Sequence, residues 1–178
     1  MLKRFAAQNE IIAMAYGPSA QFHVLDLGTE DGHTGRTIKA AFPHAKVTGI
    51  ELHAPMLKTC EDLNGSHYES LILGDAVKYL EEVTPFNGLV DVAVAAEIIE
   101  HLPRDRGLFL LDLLEKKARL AIVTSPLGFK TQGPIHDNPH EVHVSGWVPE
   151  DFTSRGWTAH LLDRGGFTLG VYYRRAKW

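Results

Sequence analysis

Between Phe22 and Tyr173, short apolar runs rich in Val, Ile and Leu alternate with segments whose apolar residues recur at helical spacing. That alternation predicts βαβ units around a largely parallel sheet. The strand-like runs are 22–27, 46–51, 68–73, 89–95, 119–124, 157–162 and 167–173. Helices are predicted between them at 34–42, 54–63, 75–82, 104–117 and 149–155. Pro149, Glu150 and Asp151 suit a helical first turn, where a missing N–H is harmless and negative charge meets the dipole. The fourth and fifth runs are apolar on successive residues, as in strands covered on both faces. Only Asp163, Arg164, Gly165 and Gly166 separate the last two runs, too few for a crossover helix. A hairpin must join them, so the last strand runs antiparallel to its neighbour. The expected architecture is a doubly wound α/β sheet of seven strands, six parallel and the last antiparallel, with helices on both faces.

Ahead of this pattern, residues 1–17 read as an amphipathic helix with Leu2, Phe5, Ile12 and also Ile11 toward the buried side. Gln8, Asn9 and Glu10 interrupt any signal-peptide core there, although Lys3 and Arg4 precede it. Residues 125–147 form the one long irregular stretch, beyond usual loop length and therefore suspected of function. With 178 residues the chain is long enough for one domain with a real core and too short for two comfortable ones. It is read as a single domain, 1–178, whose core is 22–173. A net charge of -4 gives no broad cationic surface and argues against a nucleic-acid partner held by its phosphates. The lone Cys60 forms no internal disulfide, which fits a reducing cytoplasm. No stretch approaches the roughly 20 apolar residues that span a bilayer. The expected location is cytoplasmic, and the sequence carries no signal for an oligomeric state.

The sharpest local signal is VLDLGTEDGHTG at 24–35, a strand running into a glycine-containing turn and then a helix. Glycine lets the backbone approach a ligand closely, and the helix start offers free N–H groups to it. In a Rossmann-like doubly wound sheet the ligand lies beyond the carboxyl ends of the strands, where strand order reverses. Three acidic residues fall at successive strand ends. Asp26 closes the first strand, Glu51 closes the second where a carboxylate can accept both ribose hydroxyls, and Asp75 follows the third, placed for an adenine amino group. Each alone is equally well a solvated carboxylate or a helix cap; together they point to a nucleoside. A G-x-G-x-x-G nicotinamide site is not met, because Gly28, Gly32 and Gly35 have the wrong spacing.

From about Phe22 to Tyr173 the chain resembles class I S-adenosylmethionine-dependent methyltransferases. Asp26, Gly28 and Gly32 look like the first motif, D-x-G-x-G-x-G, and VDVAVAAEIIEHLP at 90–103 looks like the fourth-strand motif facing the transferred methyl. AAEIIEHLP, IVTSPLGF and NPHEVHVSGWVPEDF are similar to bacterial members associated with cell-surface glycan or small-molecule modification. The resemblance implies S-adenosyl-L-methionine as cofactor, held by Asp26, Gly28, Thr29, Glu30, Gly32, Glu51, Leu52, Asp75, Ala76 and Glu97. It implies a small-molecule or glycan acceptor, methylated at oxygen. Glu30 stands where the motif has its middle glycine; it either pairs with the ammonium of the methionine end or crowds it. If it crowds, the chain is instead a degenerate cofactor-binding or partner-binding domain.

Methyl transfer from a sulfonium needs in-line alignment and, for a hydroxyl acceptor, a proton sink. His101 and His143 are the candidate catalytic groups, with bracing of the loop as the alternative for His101. Glu97 contacts cofactor or substrate; Glu100 does the same or is simply solvated. His140 and Trp147 are candidate substrate contacts, Trp147 as an aromatic platform or else as a core anchor. A metal held by His136, Asp137, His140, Glu141 and His143 is conceivable on ligand chemistry. Their spacing matches no zinc motif and Pro139 breaks the run, so no metal is expected.

Overall fold

The computed structural model describes residues 2–82, 90–135 and 137–176. Leu89, His136 and the Leu2 side chain, each named in a sequence expectation, lie outside the described residues. Helix α1 (Leu2–Ala13) precedes β1 (His23–Leu27), α2 (His33–Ala41), β2 (Lys46–Glu51), α3 (Ala54–Asn64), β3 (Ser70–Leu73) and α4 (Ala76–Glu82). Then follow β4 (Val90–Ala96), α5 (Arg104–Lys117), β5 (Ala118–Pro126), α6 (Pro149–Thr153), β6 (Thr158–Asp163) and β7 (Thr168–Arg175). The sheet runs β3-β2-β1-β4-β5-β7-β6. β1, β2, β3, β4 and β5 pair in parallel, whereas β7 is antiparallel to both β5 and β6. β6 therefore shares the direction of the first five, and the hairpin threads β7 between β5 and β6. The strand directions are those expected from the short 163–166 connection.

Alternate residues of the central strands feed two apolar layers, which is why their sequences show no polar face. Leu25, Leu27, Ala93, Ala95, Ala121 and Val123 pack against α4 and α5, with Trp147 and Phe152 completing that layer. Val24, Val92, Val94, Leu120 and Ile122 pack on the other side, against Ile11 and Ile12 of α1 and Ile38 of α2. Phe5 is buried as well. Several boundaries differ from the sequence reading: α1 ends at Ala13 rather than at 17, α6 at Thr153 rather than at 155, and β7 runs on to Arg175. β5 continues through Ser125 and Pro126, because Gly170 and Leu169 of β7 give them partners. β3 starts only at Ser70, because the chain makes a 3₁₀ turn at Gly65–His67 before entering the sheet.

Candidate active site

Strand order reverses between β1 and β4, and their carboxyl ends open into a cleft of about 400 Å³. One wall is the turn from β1 to α2. Gly28 N donates to Ile50 O at 2.9 Å, fixing the turn to the end of β2. Gly28 has φ 78°, and a Cβ there would come within 2.4 Å of Ile98 Cγ2, so only glycine leaves this wall open. Glu30 also takes the left-handed conformation, at φ 50°, and lines the cleft. Burial pushes its carboxyl up, with Asp31 and Glu141 adding to the effect and Arg4 opposing it. Glu51 braces this wall: its Oε2 accepts from Glu30 N at 3.0 Å and its Oε1 from His53 N at 2.9 Å. Each carboxylate oxygen has two lone-pair positions, so both retain one for a ligand hydroxyl. Leu52, Asp75 and Ala76 extend the same wall. Asp75 Oδ1 caps α4 by accepting from Val77 N and Lys78 N at 2.9 and 3.0 Å, and Oδ2 accepts from Arg106 Nη2 at 2.7 Å.

The opposite end is built by the turn after β4 and by the loop after β5. Glu97, at φ 55°, is held by Thr124, whose carbonyl and hydroxyl both accept from its N–H, and it forms an ion pair with Arg4 of α1. Glu100 follows in a 3₁₀ turn and is buried, not solvated. Neither of its carboxyl oxygens has a hydrogen-bond partner. Burial pushes the group up to about 8; the Ser125 hydroxyl, which favours the charged form, is itself aimed at Pro126 O at 3.4 Å. His101 Nδ1 lies 3.2 Å from Val142 O, and His143 Nδ1 lies 2.6 Å from Lys130 O. A carbonyl only accepts, so both rings carry their proton on Nδ1. The two rings meet edge to face with centroids 4.9 Å apart, and burial lowers the pKa of each. The neutral forms are therefore favoured, with Nε2 lone pairs available.

No protein-family model matches the sequence, and no curated protein matches it. Solved structures do. The N-terminal domain of EvdMO1, crystallised in the presence of SAH and D-fucose, is 15% identical, with 97% of this chain and 83% of that one covered and a TM-score of 0.66. The mitomycin 7-O-methyltransferase MmcR is 18% identical, with 96% and 53% covered and a TM-score of 0.60. Monomeric WbdD is 15% identical at a TM-score of 0.63; 95% of this chain aligns, but it spans only 40% of WbdD. The chain has the class I methyltransferase fold.

On this methyltransferase fold the residues expected to hold a cofactor divide into two groups. Gly28, Glu30, Glu51, Leu52, Asp75, Ala76 and Glu97 line the cleft, as do His101, His140 and His143. Asp26, Thr29 and Gly32 lie beneath the turn and shape it instead. Asp26 is fully buried, with Oδ2 accepting from the Tyr68 hydroxyl at 2.6 Å. Thr29 Cγ2 fills the space over Gly49, and Gly32, at φ 85°, lets Cys60 and Asn64 of α3 approach. Trp147 corrects the reading of an aromatic platform. Its indole is fully buried, Nε1 donates to Ile99 O and Ser145 Oγ at 3.2 and 2.9 Å, and Arg104 covers one face at 4.0 Å. No ring face is left for a substrate. His140 is exposed at the cleft, edge-on to His53.

Sequence reasoning did not find Arg4, Tyr68 or Arg106. Each acts through a partner more than 30 positions away, Arg4 on Glu97, Tyr68 on Asp26 and Arg106 on Asp75. No local spacing reports such pairs.

Proposed function

We propose that this chain transfers the methyl group of S-adenosyl-L-methionine to an oxygen of a small-molecule or glycan acceptor. The observation that carries the reading is Glu51 at the end of β2, a low-exposure carboxylate facing the cleft beside the glycine turn, with Asp75 and Ala76 next to it. Glu51 takes the ribose hydroxyls, the Asp75–Ala76 segment the adenine, and Glu30 with Glu97 the methionine end. His101 and His143 supply the electron-pair donors at the acceptor end, with His140 at the rim. The EvdMO1 structure with SAH and D-fucose and the O-methyltransferase MmcR support this choice of cofactor and acceptor class.

The test is calorimetry with S-adenosylhomocysteine. The parent protein is expected to bind one equivalent, and Glu51→Ala to lose about 1–3 kcal/mol of affinity, the scale of charged hydrogen bonds to a desolvated group. Unchanged affinity in that variant overturns the ribose assignment, and a parent that binds neither the product nor S-adenosylmethionine overturns the whole reading.

A further inference from the structure

One nitrogen each of His101 and His143 and one carboxylate oxygen of Glu100 lie within 4.8 Å of one another. If the cluster were only structural, an imidazole N–H would be expected to bond the buried carboxylate. That does not occur. Both ring protons are spent on backbone carbonyls, Val142 O and Lys130 O. Both Glu100 oxygens are buried and unpartnered, in a residue 2% exposed. Two imidazoles and a buried carboxyl group thus converge with neither ring N–H turned to the carboxyl, whose unpartnered burial costs free energy. The carbonyl contacts are the outer-sphere bonds that fix the tautomer and orientation of a metal-bound histidine. The Glu141 carboxylate lies 3.8 Å from His101 Nε2 and adds a further oxygen nearby.

We propose that Glu100, His101 and His143 form a binding site for a divalent transition-metal cation of the zinc or manganese class. Two imidazoles and a carboxylate suit such ions, whose ligand distances are about 2.0–2.2 Å. Three protein ligands leave coordination positions open toward the cleft. The role of the ion rests on the methyl-transfer reading: it binds the acceptor hydroxyl and lowers its pKa. The hydroxyl proton leaves to water, the oxygen lone pair forms the bond to the methyl carbon, and the carbon–sulfur pair remains on sulfur as the neutral thioether.

The untagged, chelator-stripped full chain is titrated with zinc chloride by calorimetry, and Co²⁺ is added as an optical probe. One equivalent of zinc is expected to bind, to raise the melting temperature and to displace the visible Co²⁺ absorption. Glu100→Gln, His101→Gln and His143→Gln are each expected to weaken zinc binding by more than about 100-fold, since even outer-sphere partners of a ligand are worth 10–100-fold. His44→Gln and His160→Gln, at surface imidazoles, are expected to leave it unchanged; circular dichroism checks that every variant is folded. Absence of zinc and Co²⁺ binding in the parent, or binding retained in all three cluster variants, overturns the site. S-adenosylhomocysteine is titrated separately into the metal-free parent. Product binding without zinc binding refutes the metal site and leaves methyl transfer standing. Zinc bound through the three donors without product binding supports the site and refutes the proposed reaction.

Discussion

Asp26 and Glu30 show how much of the glycine turn's behaviour is decided by single side chains. Asp26 is enclosed, and burial outweighs the Tyr68 hydroxyl and the Arg4 charge, so its carboxyl is pushed from 3.8 up to about 7. A folded-state value above the unfolded one means that the native state favours the protonated form. The stability this group contributes is complete below about pH 4 and is lost as pH rises toward 7. Each pKa unit corresponds to about 1.4 kcal/mol. Asp26→Asn keeps an oxygen for the Tyr68 hydroxyl and removes the dependence. Its stability relative to the parent, from urea unfolding, is expected to rise by on the order of 2 kcal/mol between pH 5 and pH 8; a constant difference contradicts the assignment. Glu30 holds a left-handed conformation at φ 50°, which costs a non-glycine residue about 1–2 kcal/mol. Glu30→Gly is expected to raise stability by about 1 kcal/mol while weakening S-adenosylmethionine binding, because a carboxylate beside a desolvated ammonium is favourable. Tighter binding, by calorimetry, identifies Glu30 as a side chain that crowds the pocket.

The loop after β5 is long, yet its own polar groups close it. Gly128 N donates to Trp147 O at 2.7 Å, and Val144 N and Ser145 N both donate to Glu100 O. Gln132 Nε2 donates to Glu141 O at 2.9 Å, and Asn138 Oδ1 caps the 3₁₀ turn by accepting from His140 N at 3.0 Å. Gln132 and Asn138 are therefore occupied in holding the loop's shape. In the proposed function the exposed His140 side chain stands at the cleft rim for the acceptor, beside His101 and His143. α1 has a different task, since Phe5, Ile11 and Ile12 pack into the core and Arg4 ties the helix to Glu97. His140→Ala is expected to reduce turnover about 10-fold, the worth of one hydrogen bond of about 1.4 kcal/mol. The measurement is product release with a hydroxylated acceptor found by screening sugars and small phenols, and cofactor affinity should stay within a few-fold. Full activity in His140→Ala, with acceptor binding lost on removing α1, places specificity on the helix instead.

Across the molecule, the order β3-β2-β1-β4-β5-β7-β6 brings the glycine turn, the acidic strand ends and the β5 loop to one edge of the sheet. The sequence alone determined the strand count, the parallel core and the antiparallel β7, because periodicity and connection length are local and the topological rules are restrictive. It also marked Gly28, Glu51, Asp75, His101 and His143, each in a short motif or at a strand end. What only the tertiary structure decided is which side chains face the cleft and which are consumed beneath it. Trp147 is withdrawn into the core because Gly107 of α5 leaves room for its ring, a Cβ there falling 2.3 Å from Cζ2. Asp26 goes under the turn because Tyr68, 42 positions later, reaches back to it. Glu100 and His143 meet because Val144 N and Ser145 N bind the Glu100 carbonyl across the β4 and β5 ends. Such pairings depend on side-chain volume and partner geometry between distant segments, and hydrophobic periodicity carries neither.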